Sequence, residues 1–153
     1  MARTGAASKT EPGDKCDDSL WHHVYHPERL IVHMMCVQVT GTIVDASGGR
    51  HKDGVRHEAD GDTHGWLRLD PGQEQFTNKG NADWEQGNLV YEIVCAFPVK
   101  QQDAVSACAG YQNKVILPGV GKHVRMWGSW VQDTNHGKWQ ELHPVAAIDI
   151  LDN

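Results

Sequence analysis

The chain has 153 residues, of which 39% are hydrophobic, and its formal net charge is −6. This length suits a single domain with a core of its own, and the apolar runs are too short to cross a bilayer. Lysine and arginine are scattered without a basic stripe, which argues against nucleic acid as a partner.

The N-terminal part of the chain is first polar and then aromatic. Residues 1–15 are small, polar and charged, and this composition predicts a disordered leader. Residues 16–35 are rich in histidine and aromatic side chains and are predicted to form an N-terminal arm, anchored over the end of a barrel by Trp21 and Tyr25. We expect residues 16–153 to form one domain.

Five strands are predicted from β-branched residues and from the alternation of apolar and polar side chains. In chain order they cover residues 36–44, 63–70, 88–97, 122–132 and 139–151. Helical spacing predicts a short turn near 81–86 and one helix over 101–111. The order β-β-β-α-β-β indicates a mostly-β fold, namely a five-stranded OB-like barrel with one helix between strands three and four. An open β-sandwich fits less well, because it usually needs about seven strands.

The four cysteines are Cys16, Cys36, Cys95 and Cys108. Their spacings contain no CxxC pair, so a zinc site built from thiolates is a poor interpretation. Three disulfide pairings are open, and we favour Cys16–Cys36 with Cys95–Cys108 because each bridge closes a short loop. Disulfides indicate an oxidising compartment, so we expect a secreted, periplasmic or cell-surface protein. The first residues lack the hydrophobic segment of an export signal, so the cysteines alone carry this expectation.

Three histidines are the best candidates for a functional site: His64, His136 and His143. In an OB-fold the loop between strands one and two lies near the loop between strands four and five, and both flank the ligand face. The three imidazoles are therefore expected to meet at the barrel mouth. Three protein ligands with one open position are typical of a catalytic divalent metal, here most simply zinc, with copper or calcium as alternatives. Nearby carboxylates would bind the metal, orient an imidazole or act as a general base. They belong to Asp60, Asp62, Asp133 and Glu141.

A purely structural interpretation of these residues stays open. The segment 133–137 is good turn chemistry in its own right, and a histidine before a proline on a strand can simply hydrogen-bond a backbone carbonyl. A second histidine group in the arm has the same two interpretations, and a third is that one of its members completes the site at the barrel mouth. Its members are His22, His23 and His26. They would bind copper or nickel if they aligned on a helix, but we favour the alternative that they belong to an arm packed over the barrel.

Six tryptophans are many for this length, and several lie on or beside predicted strands. Trp66, Trp127 and Trp139 could stack against a small molecule or an extracellular polymer such as a sugar chain. Their other interpretation is that they cover the outer surface of the barrel or a dimer contact.

From Trp21 onward, the chain resembles a family of small exported prokaryotic proteins of unknown function. The resemblance rests on residues 22–30, 39–43, 60–64, 67–71, 123–125, 133–137 and 141–144. It implies an OB-like barrel and both disulfides, and it carries no established activity. The segment Asp60-Gly61-Asp62-Thr63 is also similar to the start of the second strand in thermonuclease-like OB barrels, where it supplies a calcium-binding carboxylate.

These patterns lead to three functional hypotheses. The first is a secreted OB-like domain that binds a divalent metal through the three histidines. The second is a metal-assisted hydrolase, phosphodiesterase-like, because Asp60 and Asp62 are expected beside the same histidines. The third is a structural module that self-associates through its tryptophans and arm. Whether the protein is an enzyme, and its oligomeric state, do not follow from the sequence.

Overall fold

The computed structural model describes residues 14–151, and one sheet of six strands dominates it. The strands are β1 (Leu30–Val44), β2 (Arg56–His57), β3 (Thr63–Leu69), β4 (Leu89–Tyr91), β5 (His123–Asp133) and β6 (Gln140–Ile150). Five of them close in the order β1-β5-β6-β4-β3, because β1 also pairs with β3. Strands β4 and β6 are parallel, and β2 is an extra strand beside β3. The predicted mostly-β, OB-like barrel is therefore confirmed.

Short helices join the strands. Helix α1 (Lys79–Trp84) begins with a capping box in which Asn78 and Asn81 exchange side-chain to backbone hydrogen bonds. Helix α2 (Val105–Cys108) continues a 3-10 turn and ends because Ala109 is extended, so the predicted helix over 101–111 is shorter than expected. None of the helices in residues 14–151 has the length and apolar character needed to cross a bilayer.

Two strand boundaries differ from the sequence prediction. Strand β1 begins at Leu30 rather than near residue 36, because its first residues pair with the end of β5. The last part of the predicted arm is therefore strand. Strand β4 ends at Tyr91, and the left-handed backbone of Cys95 (φ 56°) turns the chain away soon after. The predicted leader falls almost wholly on residues 1–13, which lie outside the described residues.

Apolar side chains from alternate positions of the strands fill the barrel. Leu67, Tyr91 and Leu142 are fully buried there, and burial of each of the two leucines contributes about 1.5–3 kcal/mol. The Tyr91 ring lies against Gly65, where an added Cβ would stand 2.2 Å from the ring. This close approach explains why the sequence has a glycine inside β3.

Both predicted disulfides are present. Cys16–Cys36 ties the arm to β1, and Cys95–Cys108 closes the loop that follows β4. The arm contains 3-10 turns at Asp18–His23 and Pro27–Arg29. Its buried anchors are Leu20 and Val24 rather than the expected Trp21 and Tyr25, which are only partly buried.

Candidate metal centre

A row of ionisable side chains crosses the outer face of the wall formed by β3, β4 and β6. The register of these strands brings His64, Glu92 and His143 side by side. Because side chains alternate along a strand, Tyr91 and Leu142 face the core while their neighbours Glu92 and His143 face outward. All three members of the row are nearly or fully buried, with exposures of 4%, 6% and 0%. Buried ionisable groups need partners or a bound ion.

Glu92 stands between the two histidines. One of its carboxylate oxygens lies 3.7 Å from His64 Nδ1, and the other lies 3.9 Å from His143 Nδ1. Both distances exceed a normal hydrogen bond. The Glu92 carboxylate is therefore placed between two imidazoles without a close bond to either.

Each of the two histidines is also within hydrogen-bond distance of a second carboxylate. His64 Nε2 lies 2.7 Å from Glu85 Oε1, and His143 Nδ1 lies 2.9 Å from Glu141 Oε1. Two indole nitrogens donate to the same carboxylates, Trp66 to Glu85 and Trp139 to Glu141, each at 2.8 Å. These two sets of hydrogen bonds fix the imidazole rings of His64 and His143 relative to Trp66 and Trp139.

Asp62 completes the cluster. Its carboxylate, that of Glu92 and the ring of His143 each offer one ligand atom, and these atoms lie within 4.8 Å of one another. Asp62 Oδ2 and His143 Nε2 are both buried without a hydrogen-bond partner, and they stand 3.7 Å apart. A second group of close atoms in residues 14–151 involves Cys16 and Cys36, whose sulfurs are bridged and cannot act as thiolates.

Two ligand atoms of this group, Asp62 Oδ2 and His143 Nε2, stand nearly as far apart as two ligands of one zinc ion. Two ligand atoms about 2.0–2.2 Å from one zinc ion stand about 3.4 Å apart at the tetrahedral angle, so a shift of a few tenths of an ångström closes the observed 3.7 Å. An ionised carboxylate only accepts hydrogen bonds, so Glu141 requires the proton on Nδ1 of His143. Once Nε2 has lost its proton, its lone pair would face Asp62, as in metal-bound histidines oriented by a carboxylate.

Electrostatics keep both imidazoles protonated when no ion is bound. Burial alone would lower the pKa of His64, but the hydrogen bond to Glu85 and the charge of Glu92 outweigh it and raise the pKa to about 10. Burial also opposes protonation of His143, yet Glu92 and Glu141 raise its pKa to about 9. A metal ion at His143 would therefore displace a proton.

Burial raises the pKa values of the two carboxyl groups of the cluster. Desolvation and the charge of Glu141 raise the pKa of Glu92 to about 7. Desolvation also raises the pKa of Asp62 well above its ordinary value, against the pull of His143. In both cases burial, which disfavours the charged form, outweighs the attraction of the neighbouring imidazoles.

A cavity of about 430 Å³ opens in front of the cluster, a size typical of small-molecule pockets. Glu92, Glu141 and His64 line it from the cluster side, so the cavity reaches the row but not the buried Asp62 and His143. The remaining wall mixes aromatic, cationic and acidic side chains from the arm and the loops, including Tyr25, His26, Arg29, Arg56, Glu58, Asp60, Asp133, His136 and Trp139.

The three predicted histidines separate into two positions. His64 and His143 lie on the outer face of the wall, not at a barrel mouth, and share Glu92 as neighbour. His136 lies at the rim of the cavity, half exposed, with Nδ1 3.0 Å from Asp133 and its ring stacked on Trp139. Within the described residues, the close group of ligand atoms therefore contains one of the three histidines and two carboxylates instead.

The predicted acidic residues have distinct positions. Asp62 belongs to the group of ligand atoms, and Glu141 orients His143. Asp60 lines the cavity and accepts a hydrogen bond from the Asp62 N–H. Asp133 is buried beside Arg29, 3.5 Å away, and hydrogen bonds from His136 and Asn135 lower its pKa against the effect of burial.

The tryptophans and arm histidines are mostly occupied by internal contacts. Trp66 is buried under the guanidinium of Arg56, and Trp127 is nearly buried on β5, so Trp139 is the member of this set that lines the cavity. In the arm, the ring of His23 stacks on Tyr111, whereas His22 and His26 are exposed.

The residues of the site that were not identified from the sequence include Glu85, Glu92 and Arg29. Glu92 carries a usable signal, because it is the acidic residue inside the apolar run 89–94, and a carboxylate in a buried strand needs a partner. Glu85 and Arg29 lie in polar segments without such a contrast.

Searches of family models, curated proteins and solved structures found no match to this chain. The geometry of the site is therefore the basis on which a function can be assigned.

Proposed function

We propose that this protein is a divalent-metal-binding domain whose ligands are Asp62, Glu92 and His143. The observation that carries the proposal is a pair of buried atoms without hydrogen bonds, Asp62 Oδ2 and His143 Nε2, that face each other at 3.7 Å. Leaving such atoms without partners costs stability, and one ion between them would satisfy both. The cavity in front of Glu92 would supply the remaining position to water or to a small molecule.

Zinc is the metal that the donor set favours. One imidazole nitrogen and two carboxylate oxygens suit zinc, whereas calcium prefers six to eight oxygens and copper competes through its higher intrinsic affinity. The two disulfides support a further part of the proposal, that the domain works in an oxidising compartment outside the cytoplasm.

The direct test is metal analysis of protein purified without a nickel column, followed by thermal unfolding with added zinc, copper or calcium. Zinc at about 100 times its dissociation constant would stabilise the fold by about 2.7 kcal/mol, or roughly 5–10 °C for a chain of this length. His143→Gln should abolish this shift.

A matched control is His123→Gln. His123 also lies on a strand and is paired with a carboxylate, Asp70, at 2.7 Å, but it is outside the cluster. It should keep the full zinc shift. Absence of bound metal in the wild type, together with no thermal shift for any of the three ions, would remove the proposal.

The cavity favours a second candidate, a metal-assisted hydrolase. Glu92 belongs to the proposed ligand set and also lines the cavity, so a substrate placed there would approach the ion. His136 stands at the rim, where a proton donor or acceptor can reach the substrate. Zinc-loaded wild type should then hydrolyse bis(p-nitrophenyl) phosphate, and His136→Ala should lose that turnover while keeping its zinc. Equal rates for the two proteins would contradict this candidate.

A further inference from the structure

The Cys95–Cys108 disulfide lies behind the turn that carries Asp62. The Cys95 backbone N–H donates to Asp62 Oδ1 at 3.1 Å, and Cys95 itself is almost fully buried. A Cβ placed on Gly61 would stand 3.7 Å from the Cys108 sulfur. One bridged cysteine thus donates directly to a proposed metal ligand, and the sulfur of the other lies near the preceding glycine.

Backbone donors from the loop closed by this bridge hold the whole turn. Ala96 and Phe97 donate to Gly61 O at 2.8 and 2.9 Å. Lys100 and Gln101 donate to Ala59 O at 2.7 and 3.0 Å. Together with the Cys95 N–H, five loop amides fix the position of residues 59–62.

The loop has little regular structure of its own, so its conformation depends on its contacts with the rest of the protein and on the bridge. Its helix α2 spans four residues, far too few to be stable alone. Cys95 also adopts a left-handed backbone conformation (φ 56°), which a residue with a Cβ keeps only when its surroundings enforce it. Opening the bridge would therefore loosen the amides that position Asp62.

We propose that the Cys95–Cys108 disulfide is the positioning element of Asp62, and that its reduction lowers the affinity of the site for zinc. This inference rests on the proposed function. In the chemical step, a thiolate of a dithiol reductant attacks the sulfur of Cys108, the less buried partner, and Cys95 leaves as a thiolate. The second thiol of the reductant then releases Cys108, so two electrons pass to the protein and the reductant becomes a disulfide.

The test compares zinc affinities, measured by competition with a chromophoric chelator, between two variants that each lack one bridge. Cys95→Ala/Cys108→Ala should bind zinc about 10- to 100-fold more weakly than the wild type, the effect typical of residues that orient a ligand. Cys16→Ala/Cys36→Ala should stay within about a factor of two, as expected for a remote change. The two bridges close loops of similar length, with separations of 13 and 20 residues. A general loss of stability would therefore affect both variants alike.

A second pair of variants keeps both bridges and covers the case in which the double variant does not fold. Gly61 and Gly72 have almost the same backbone conformation, with φ of 94° and 95°. A Cβ on Gly61 would push against Phe97 O at 2.9 Å, whereas nothing lies within 4 Å of a Cβ on Gly72. Gly61→Ala should weaken zinc binding, and Gly72→Ala should not.

The outcomes separate the two proposals. If the oxidised wild type does not bind zinc, the proposed function fails, and this inference falls with it. If the wild type binds zinc and the folded Cys95→Ala/Cys108→Ala variant binds it equally well, only the inference is overturned. If that variant does not fold, equal zinc affinities of Gly61→Ala and Gly72→Ala overturn it instead.

Discussion

The two faces of the same barrel wall bury very different side chains. On the inner face, Tyr91 and Leu142 are fully buried among apolar residues. On the outer face, Glu92 and His143 are buried as deeply, among carboxylates and imidazoles. Consecutive residues of the same chain segments supply the two faces, because their side chains point to opposite sides of the sheet.

The difference shows what each face contributes. Apolar burial stabilises the fold by about 25 cal/mol per Å². Burial of ionisable groups costs free energy that their partners recover only in part, as the raised pKa of Glu92, about 7, indicates. If the proposed function holds, we expect the outer face to lower the stability of the metal-free protein, because it is kept for binding rather than for folding.

The largest effect is expected on the inner face. Leu142→Ala removes a fully buried side chain from the core and should lower the free energy of unfolding by about 2–5 kcal/mol. Urea unfolding at fixed pH measures the change. The zinc-dependent increase in stability should survive wherever the variant is folded, because the outer ligands are untouched. A loss below about 1 kcal/mol would mean that the inner face is not the main source of stability.

The next effect is a pH dependence confined to the outer face. The pKa of Glu92 rises from 4.5 to about 7 on folding, so the folded state binds the proton more tightly. Its contribution is fully present below about pH 4.5 and is lost as the pH rises to about 7, which amounts to about 3 kcal/mol at most. His64, with its pKa raised from 6.5 to about 10, acts in the same direction at higher pH.

Urea unfolding of the metal-free protein between pH 5 and pH 8 checks this dependence. Glu92 is faced by His64, His143 and Glu141, so the comparison needs a variant that removes Glu92 alone. The wild type should lose stability over this range, and Glu92→Gln should lose clearly less. Parallel pH profiles for the two proteins would contradict the assignment.

A smaller effect of opposite sign is expected from Glu92→Gln at a single pH. At pH 8 the amide avoids the burial of a charge, so the metal-free variant should be about 1 kcal/mol more stable than the wild type. The same variant should lose the thermal shift produced by zinc, because a proposed ligand is gone. A variant that is less stable without metal, yet still responds to zinc, would reverse the assignment of this face.

The fold could be predicted from the sequence because its signals are local. Alternating residues identified the strands, and short separations identified Cys16–Cys36 and Cys95–Cys108. The boundaries of β1 and β4 were wrong because they depend on distant pairing and on one left-handed residue, Cys95.

The site was predictable only in part. Asp62, Glu141 and His143 were recognised as chemically able residues near one another. Glu92 was missed because its contact with His143 depends on the parallel register of β4 and β6, about fifty residues apart in sequence. No local pattern encodes that register. His136 was grouped with the others because two neighbouring loops of an OB-fold were expected to bring it to His64 and His143. Its loop instead places it at the rim of the cavity, and turn-forming residues do not reveal that conformation.

The smallest effect concerns an ion pair outside the wall, Asp70 with His123. Its atoms are as close as those of the buried pairs, at 2.7 Å, but the two side chains are 33% and 39% exposed. The hydrogen bond from His123 lowers the pKa of Asp70, so the contribution is present above the unfolded pKa and lost as the pH falls through the lowered one. Exposed pairs of this kind contribute less than about 1 kcal/mol.

His123→Gln should therefore change the free energy of unfolding, measured with urea, by about 0.5 kcal/mol or less. A larger loss of stability in His143→Gln than in His123→Gln would then arise from burial. It would not arise from the carboxylate–imidazole contact itself, because both histidines have such a contact. Equal losses of stability from the two substitutions, with zinc responses also equal, would show that the outer face of β3, β4 and β6 is an ordinary polar surface.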